Sequence, residues 1–267
     1  MHVFHHADLV TSVDFHPKDD SLFLSGGFDR KLRLWSIPDG RVIDWAQTPD
    51  IITSAKFTPN GNFVVAGLIN GQVYLYSTEG MRYYTQISCR NRHGKDRDGR
   101  KVTGLSFYAN NNAMRLSEQL LVTTNDSRIR LFGLNDYCMI SKYKGLTNTS
   151  MQIKAHFSDS GSSIICGSEV GNIYMWSTSN NQQSTGLSSS SPQFNKGNVS
   201  YNRNNTFSYF QACNASDADT NSIITEALFA PTISLQKALL GSNLFPTIQN
   251  FNNINYDFST AMVVSSE

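Results

Sequence analysis

Charge of either sign in excess, paired cysteines and long apolar runs are all missing from this 267-residue chain. Lysine and arginine number 22 against 21 acidic residues, so the formal charge is +1. That near-balance speaks against a generally phosphate-seeking surface and leaves any electrostatic site to be local. The four cysteines, Cys89, Cys138, Cys166 and Cys213, form no C-x-x-C pair. This removes the usual zinc and dithiol signatures and reads as reduced thiols of a cytosolic protein. No run approaches the roughly 18 apolar residues of a membrane helix, and the N-terminus lacks a signal-peptide core. A soluble chain is expected, with any membrane role peripheral. Hydrophobic residues at 39% with 11% aromatics are enough for a packed core.

What the chain does contain is repetition. Val10-Thr11-Ser12-Val13-Asp14-Phe15-His16-Pro17 recurs as Ile52 to Pro59 and again as Ile224 to Pro231. Val102 to Phe107 repeats its first six positions, and Ile153 to Ser158 is a looser copy. Alternating apolar residues closed by an aromatic predict a strand with one buried face. A second pattern follows each copy. Ser25 to Trp35 reads S-G-G-F-D-R-K-L-R-L-W, a polar turn at Asp29 leading into a strand. It returns as Ala66 to Tyr76, Val122 to Phe132 and Cys166 to Trp176. The spacings are 41 residues from Trp35 to Tyr76 and 44 from Phe132 to Trp176. Units that cannot bury their own apolar face stack, and roughly 40 to 45 residues is the period of a four-stranded propeller blade.

The 56-residue interval from Tyr76 to Phe132 accommodates two inserted loops, Arg90 to Lys101 and Ala109 to Ser117. The organisation expected is repeats over 1–178, with blades at about 7–47, 48–88, 100–145 and 149–212, interrupted by a Ser/Asn-rich segment at 179–205. That segment is too polar to bury anything and is expected to be disordered. Residues 206–267 should supply an outer strand near Phe207 to Phe210 and a truncated last repeat with an Asn-rich loop. Ala261 to Glu267 resembles Ser163 to Glu169, and Met1 to His6 reads as the outer strand of a preceding blade. The fold class expected is therefore an all-β propeller, incomplete, with four full antiparallel four-stranded blades and a partial fifth. Such a chain has the character of a fragment of a longer protein, with strand edges exposed at both ends.

Asp29 with Trp35, preceded by His6-x-x-x-Val10, resembles the signature of the WD-repeat β-propellers. Short runs such as Lys31 to Trp35, Gly99 to Gly104, Asn125 to Leu131 and Gln152 to Ala155 are similar to one branch, the Rab-binding, rabphilin-like endosomal WD-repeat protein and its fungal relatives. The resemblance implies a hydrogen-bonded set of His6, Ser25, Asp29 and Trp35 that locks the first turn to its neighbours. The other repeats depart from it: Ala66, Asn70 and Tyr76 in the second, Phe132 in the third, Val170 in the fourth. Their cohesion should depend more on apolar packing. The resemblance also implies a non-enzymatic scaffold or adaptor in small-GTPase-linked vesicle or endosomal traffic, cytoplasmic or peripheral on those membranes. A WD-repeat scaffold in signalling or ubiquitin-ligase substrate selection is the alternative.

Candidate chemistry is sparse. His2, His5 and His6 have no carboxylate or cysteine at ligand spacing, so no metal is expected. Asp29, His6 and a serine have the types of a hydrolytic triad but no nucleophile on a strained turn, so no catalytic residues, cofactor or small-molecule substrate are assigned. The loop holding Arg90, Arg92, Lys95, Arg97, Arg100 and Lys101 against Asp96 and Asp98 carries a surplus of +4. It is the candidate partner-binding element, for an acidic protein surface or anionic headgroups and not for nucleic acid. Arg128 and Arg130, alternating with Ile129 and Leu131 on one strand face, are added to it.

Overall fold

The computed structural model describes residues 3–91, 99–109, 118–178, 202–204, 208–211, 223–229 and 261–263. The inserted segments 92–98 and 110–117, most of the Ser/Asn-rich stretch, the Asn-rich loop beyond 229 and the last four residues lie outside them.

Among the described residues, four sheets built on four antiparallel strands each follow one another along the chain, the third carrying a fifth, parallel strand at its edge. The first holds β1 (Val10–Phe15), β2 (Leu22–Gly27), β3 (Lys31–Ser36) and β4 (Arg41–Gln47). The second holds β5 (Ile52–Phe57), β6 (Phe63–Leu68), β7 (Gln72–Ser77) and β8 (Tyr83–Ser88). The third is β9 (Val102–Ala109), β10 (Glu118–Thr124), β11 (Arg128–Gly133) and β12 (Met139–Tyr143). The fourth is β13 (Ala155–Phe157), β14 (Ser163–Cys166) and β15 (Asn172–Ser177), completed by β17 (Ser208–Gln211) on the edge of β15. β18 (Ala227–Phe229) and β19 (Ala261–Val263) form a two-stranded sheet. This is an all-β, WD40 propeller-like fold.

Two expectations are corrected. Asn202–Asn204, within the segment expected to be disordered, forms β16 and pairs in parallel with β12. An unpaired strand edge accepts an extended backbone whatever its side chains, which composition cannot reveal. Val3 to His6 is not a strand; Phe4 instead packs edge-on against Phe23 and Trp35 of the first sheet, with centroids 4.9 and 5.3 Å apart.

The core lies between the sheets. Leu24, Leu32 and Leu34 pack on Ile52, Ala55, Phe57, Val64 and Leu68. Val65, Val73 and Leu75 meet Val102, Leu105 and Leu120, and Leu121, Ile129 and Leu131 meet Ile153, Ala155 and Ile164. The second strand of a sheet is thus buried on both faces, as the unbroken burial of β6 shows.

One device recurs at each of the first three junctions. The inner strands β1, β5 and β9 each carry a bulge whose unpaired residue is threonine: Thr11, Thr53 and Thr103. A bulge re-aims one side chain. Each hydroxyl donates to a main-chain carbonyl of the following sheet's inner segment, Thr11 to Ile52 (2.7 Å), Thr53 to Val102 (2.6 Å) and Thr103 to Ile153 (2.7 Å). Close approach beside it requires glycine: a Cβ at Gly26 would stand 2.7 Å from Ile52 Cγ2, and one at Gly67 would run into Val102.

The turns between second and third strands share a left-handed residue, Arg30 (φ 59°), Gly71 (78°), Ser127 (56°) and Gly171 (73°). Glycine takes this conformation at no steric cost. Arg30 and Ser127 take it directly after Asp29 and Asp126, whose carboxylates are tied into the turn.

Candidate functional site

The first turn brings His6, Ser25, Asp29 and Trp35 together and adds Arg33. Trp35 Nε1 donates to Ser25 Oγ (2.6 Å), and His6 Nε2 lies 2.6 Å from the same oxygen. Arg33 Nη1 is 2.8 Å from His6 Nδ1 and its Nη2 is 2.7 Å from Asp29 Oδ2. Because a guanidinium can only donate, Nδ1 accepts and Nε2 carries the imidazole proton toward Ser25. Asp29 Oδ2 stands 3.7 Å from His6 Nδ1, so the acid reaches the histidine through Arg33. Burial first, and then Arg33, hold the His6 pKa below 6.5 against the pull of Asp29. The imidazole is therefore neutral at neutral pH. Asp29 also accepts the Lys31 amide (3.1 Å). The polar side chains of the set are engaged with one another in closing the turn.

The third turn contains a second lock that the sequence reading assigned to apolar packing. Arg130 Nη2 donates to Asp126 Oδ2, and Nη1 to Thr124 Oγ1 (2.6 Å) and Asp126 Oδ1 (3.2 Å). Asn91 enters where His6 sits in the first sheet, donating to Asp126 (3.0 Å) and accepting from Arg130 (3.1 Å) and Lys142 (2.5 Å). His6 stands four residues before Val10 and Asn91 eleven before Val102; the excess is the length of 92–98. The basic insertion thus departs directly from this lock. Although burial pushes the Asp126 carboxyl up, Arg130, Thr124 and Lys142 hold it below the usual carboxylate value.

Arg130 is consequently corrected as a partner-binding candidate. It is 1% exposed and committed to Asp126, because β11 is covered on both faces. Arg128 is half-buried, with Nη1 on the Ser127 carbonyl (2.8 Å). Arg90 and Arg100 are exposed and Lys101 half-buried, its carbonyl accepting the Asn125 amide (3.0 Å). Arg92, Lys95 and Arg97 lie outside the described residues.

Arg33 and Arg130 occupy the same place, four residues after the turn acid. In the second and fourth sheets that place holds Tyr74 and Tyr174, each stacked on the aromatic two residues later, Tyr76 (24°) and Trp176 (17°). Ion-paired and aromatic locks alternate along the array. The Asp-x-x-x-Arg spacing was the signal available in the sequence.

Two further clusters went unread. Glu169 accepts from the backbone amides of Thr149 (2.9 Å), Ser150 (2.7 Å) and Met151 (2.8 Å), which against some burial draw its pKa down to about 2. Asp14, Lys56, Lys154, His156 and Glu226 converge from the inner segments, with His156 Nε2 3.3 Å from Glu226 Oε1. Burial leads in holding His156 well below its usual value, joined by Lys56 and Lys154 against Glu226. Burial likewise pushes the Cys89 thiol up to about 12 and Cys166 higher still, which leaves both as inert core groups. Among the described residues no group of three or more His, Cys, Asp or Glu is placed to hold a metal ion.

Stacked four-stranded antiparallel sheets with locked turns define a WD40-type repeat protein. Residues 1–36 and 45–77 match the family described as WD domain, G-beta repeat. Over 235 residues, 87% of its length, the chain is 41% identical to WD repeat-containing protein 44 of Xenopus laevis, of which it spans 23%. It is 31% identical to an uncharacterised WD repeat-containing protein of Schizosaccharomyces pombe over 65% of its length and 30% of that protein. It is 33% identical to 2-deoxy-glucose resistant protein 2 of Saccharomyces cerevisiae over 58% of its length and 20% of that protein. The chain therefore spans less than a third of each of these relatives. Among solved structures, the WD40 repeats of RRP9 align with a TM-score of 0.52 at 15% identity, covering 64% of this chain and 49% of that one, a likeness of fold.

Proposed function

We propose that the chain is a non-enzymatic protein-interaction scaffold, serving as an adaptor between small GTPases of the Rab type and vesicle or endosomal membranes. The scaffold reading is carried by the locked turns: the polar residues that could have formed a site are spent on closing the turns. WD40 domains generally bind other proteins. Rigid sheets of this kind present loops in fixed relation, so the contacting surface is the inserted segments and not the core. The GTPase-linked part rests on the short runs similar to the Rab-binding branch, and the membrane part on the basic segment Arg90 to Lys101.

The test is affinity capture by the full chain from a panel of purified Rab-type GTPases in their GTP-analogue and GDP forms. The expected result is selective retention of the GTP-analogue form of at least one. Retention of none in either state overturns the GTPase reading. Replacing Arg90, Arg92, Lys95, Arg97 and Arg100 by alanine is expected to weaken capture, or sedimentation with phosphatidylserine vesicles, with the urea midpoint unchanged.

A further inference from the structure

The fourth sheet receives its outer strand by a route the others do not use. In the first three sheets the outer strand follows the third strand after four or five residues, from Ser36 to Arg41, Ser77 to Tyr83 and Gly133 to Met139. β15 ends at Ser177, and β17 begins 30 residues further on, at Ser208. Within that interval the chain visits the third sheet. There β16 lies along the outer edge of β12 in parallel register, Ser141 beside Asn202 and Tyr143 beside Asn204. β17 then pairs antiparallel with β15, Asn172 opposite Gln211 and Met175 opposite Ser208. Residues 205–207 alone separate the two seats.

Neither seat is strong by itself. β16 has three residues and β17 four, both fewer than the usual five or six or so of a strand. Parallel pairing, as in β16, is also the weaker kind per residue. What each strand gains from the other is proximity. With β16 seated, the segment that β17 closes on its N-terminal side shortens from 30 residues to three, while 212–223, leading to Ile224, is unchanged. Closure entropy that grows as three-halves of the logarithm of loop length then favours β17 by about eightfold. By linkage, a seated β17 favours β16 by the same factor. The surface beneath is continuous as well. Tyr143 of β12 lies 6.1 Å from Trp176 of β15, Trp176 stacks on Tyr174 at 5.9 Å, and Tyr174 on Tyr209 of β17 at 5.8 Å. One row of rings thus runs from the strand that receives β16 to β17 itself.

We propose that β16 and β17 are the two halves of one strap, which fastens the outer edges of the third and fourth sheets together and whose halves seat and lift together, uncovering β12 and β15 in one event. Local opening of this kind is a property of the fold and stands whatever partner the scaffold binds.

The experiment is amide-resolved hydrogen exchange of the full chain. Tyr209→Pro removes a ladder donor and the ring stacked on Tyr174, so it unseats β17. It is expected to speed exchange of the β12 amides that face β16, in the neighbouring sheet, by about threefold to eightfold. Arg203→Pro, which unseats β16, should in turn speed exchange of the β15 amides that face β17. Amides of β4 and β8 should not change in either variant. Ten glycine and serine residues inserted between Asn204 and Ser208 leave both seats and the row of rings in place, and should reduce the transmitted effect to about twofold. Unchanged exchange at β12 in Tyr209→Pro overturns the proposal, as does an equal rise at β4 and β8. Transmission undiminished by the longer link overturns it too, since the rings and not the strap would then carry the coupling.

Discussion

Arg130 shows what a buried charge does in this molecule. Its guanidinium and the Asp126 carboxylate are almost wholly shielded from water, at 2% and 3% side-chain exposure. Removing one member of such a pair leaves the other as an uncompensated buried charge. Arg130→Met is expected to cost about 3–5 kcal/mol, read as a fall in the urea midpoint with an unchanged slope. The two buried imidazoles set a pH response. With folded pKa values below 6.5, His6 and His156 take up protons more readily in the unfolded chain. Their share of stability is complete above that pH and is lost as pH falls toward the lowered folded values. Glu169 behaves likewise further down, its share complete above 4.5 and lost as pH approaches about 2. Thermal melts stepped from pH 7 to pH 4 should show a falling midpoint, and His156→Phe should flatten it. The sequence marked Arg130 as a strand residue alternating with apolar neighbours. It could not show that both faces of that strand are covered, and period-two alternation loses its meaning there.

At the scale of the element, the repeated octapeptide was legible because its apolar positions face a neighbouring sheet. The role of its threonine was not, because a bulge displaces that residue from the alternation that makes a strand readable. Thr53→Val removes the donor to the Val102 carbonyl and is expected to cost about 1–3 kcal/mol through the acceptor left unpaired, measured by urea unfolding. Gly67→Ala forces a methyl group into Val102 and should cost about 1–3 kcal/mol by overpacking. The four turns were located by their Asp or Asn and glycine residues. What escaped was the partner across the insertion, since Asn91 stands eleven residues from its strand where His6 stands four.

Across the whole molecule, equivalent residues differ by position in the stack. Phe15 and Phe57 close the same strand of successive repeats, yet Phe15 is 62% exposed and Phe57 3%. Phe57→Ala should cost about 3–5 kcal/mol, and Phe15→Ala within about 0.5 kcal/mol, in the same denaturation experiment. A comparable loss at Phe15 would mean that something covers the outer face of β1 in solution. The sequence supplied the order of the repeats, since each is a local pattern, but not this asymmetry, which arises only from what lies beside each sheet.

The alternation of ion-paired and tyrosine-stacked turns gives neighbouring sheets unlike responses to their surroundings. Apolar and aromatic contacts weaken on cooling, while charge pairs feel ionic strength to the extent that water reaches them. At the turns alone, cooling is therefore expected to act most on the second and fourth, and salt on the first, whose Arg33 is the less shielded of the two arginines. Chilling and salting should loosen the same chain at different places, so that each condition exposes its own set of loops to a partner.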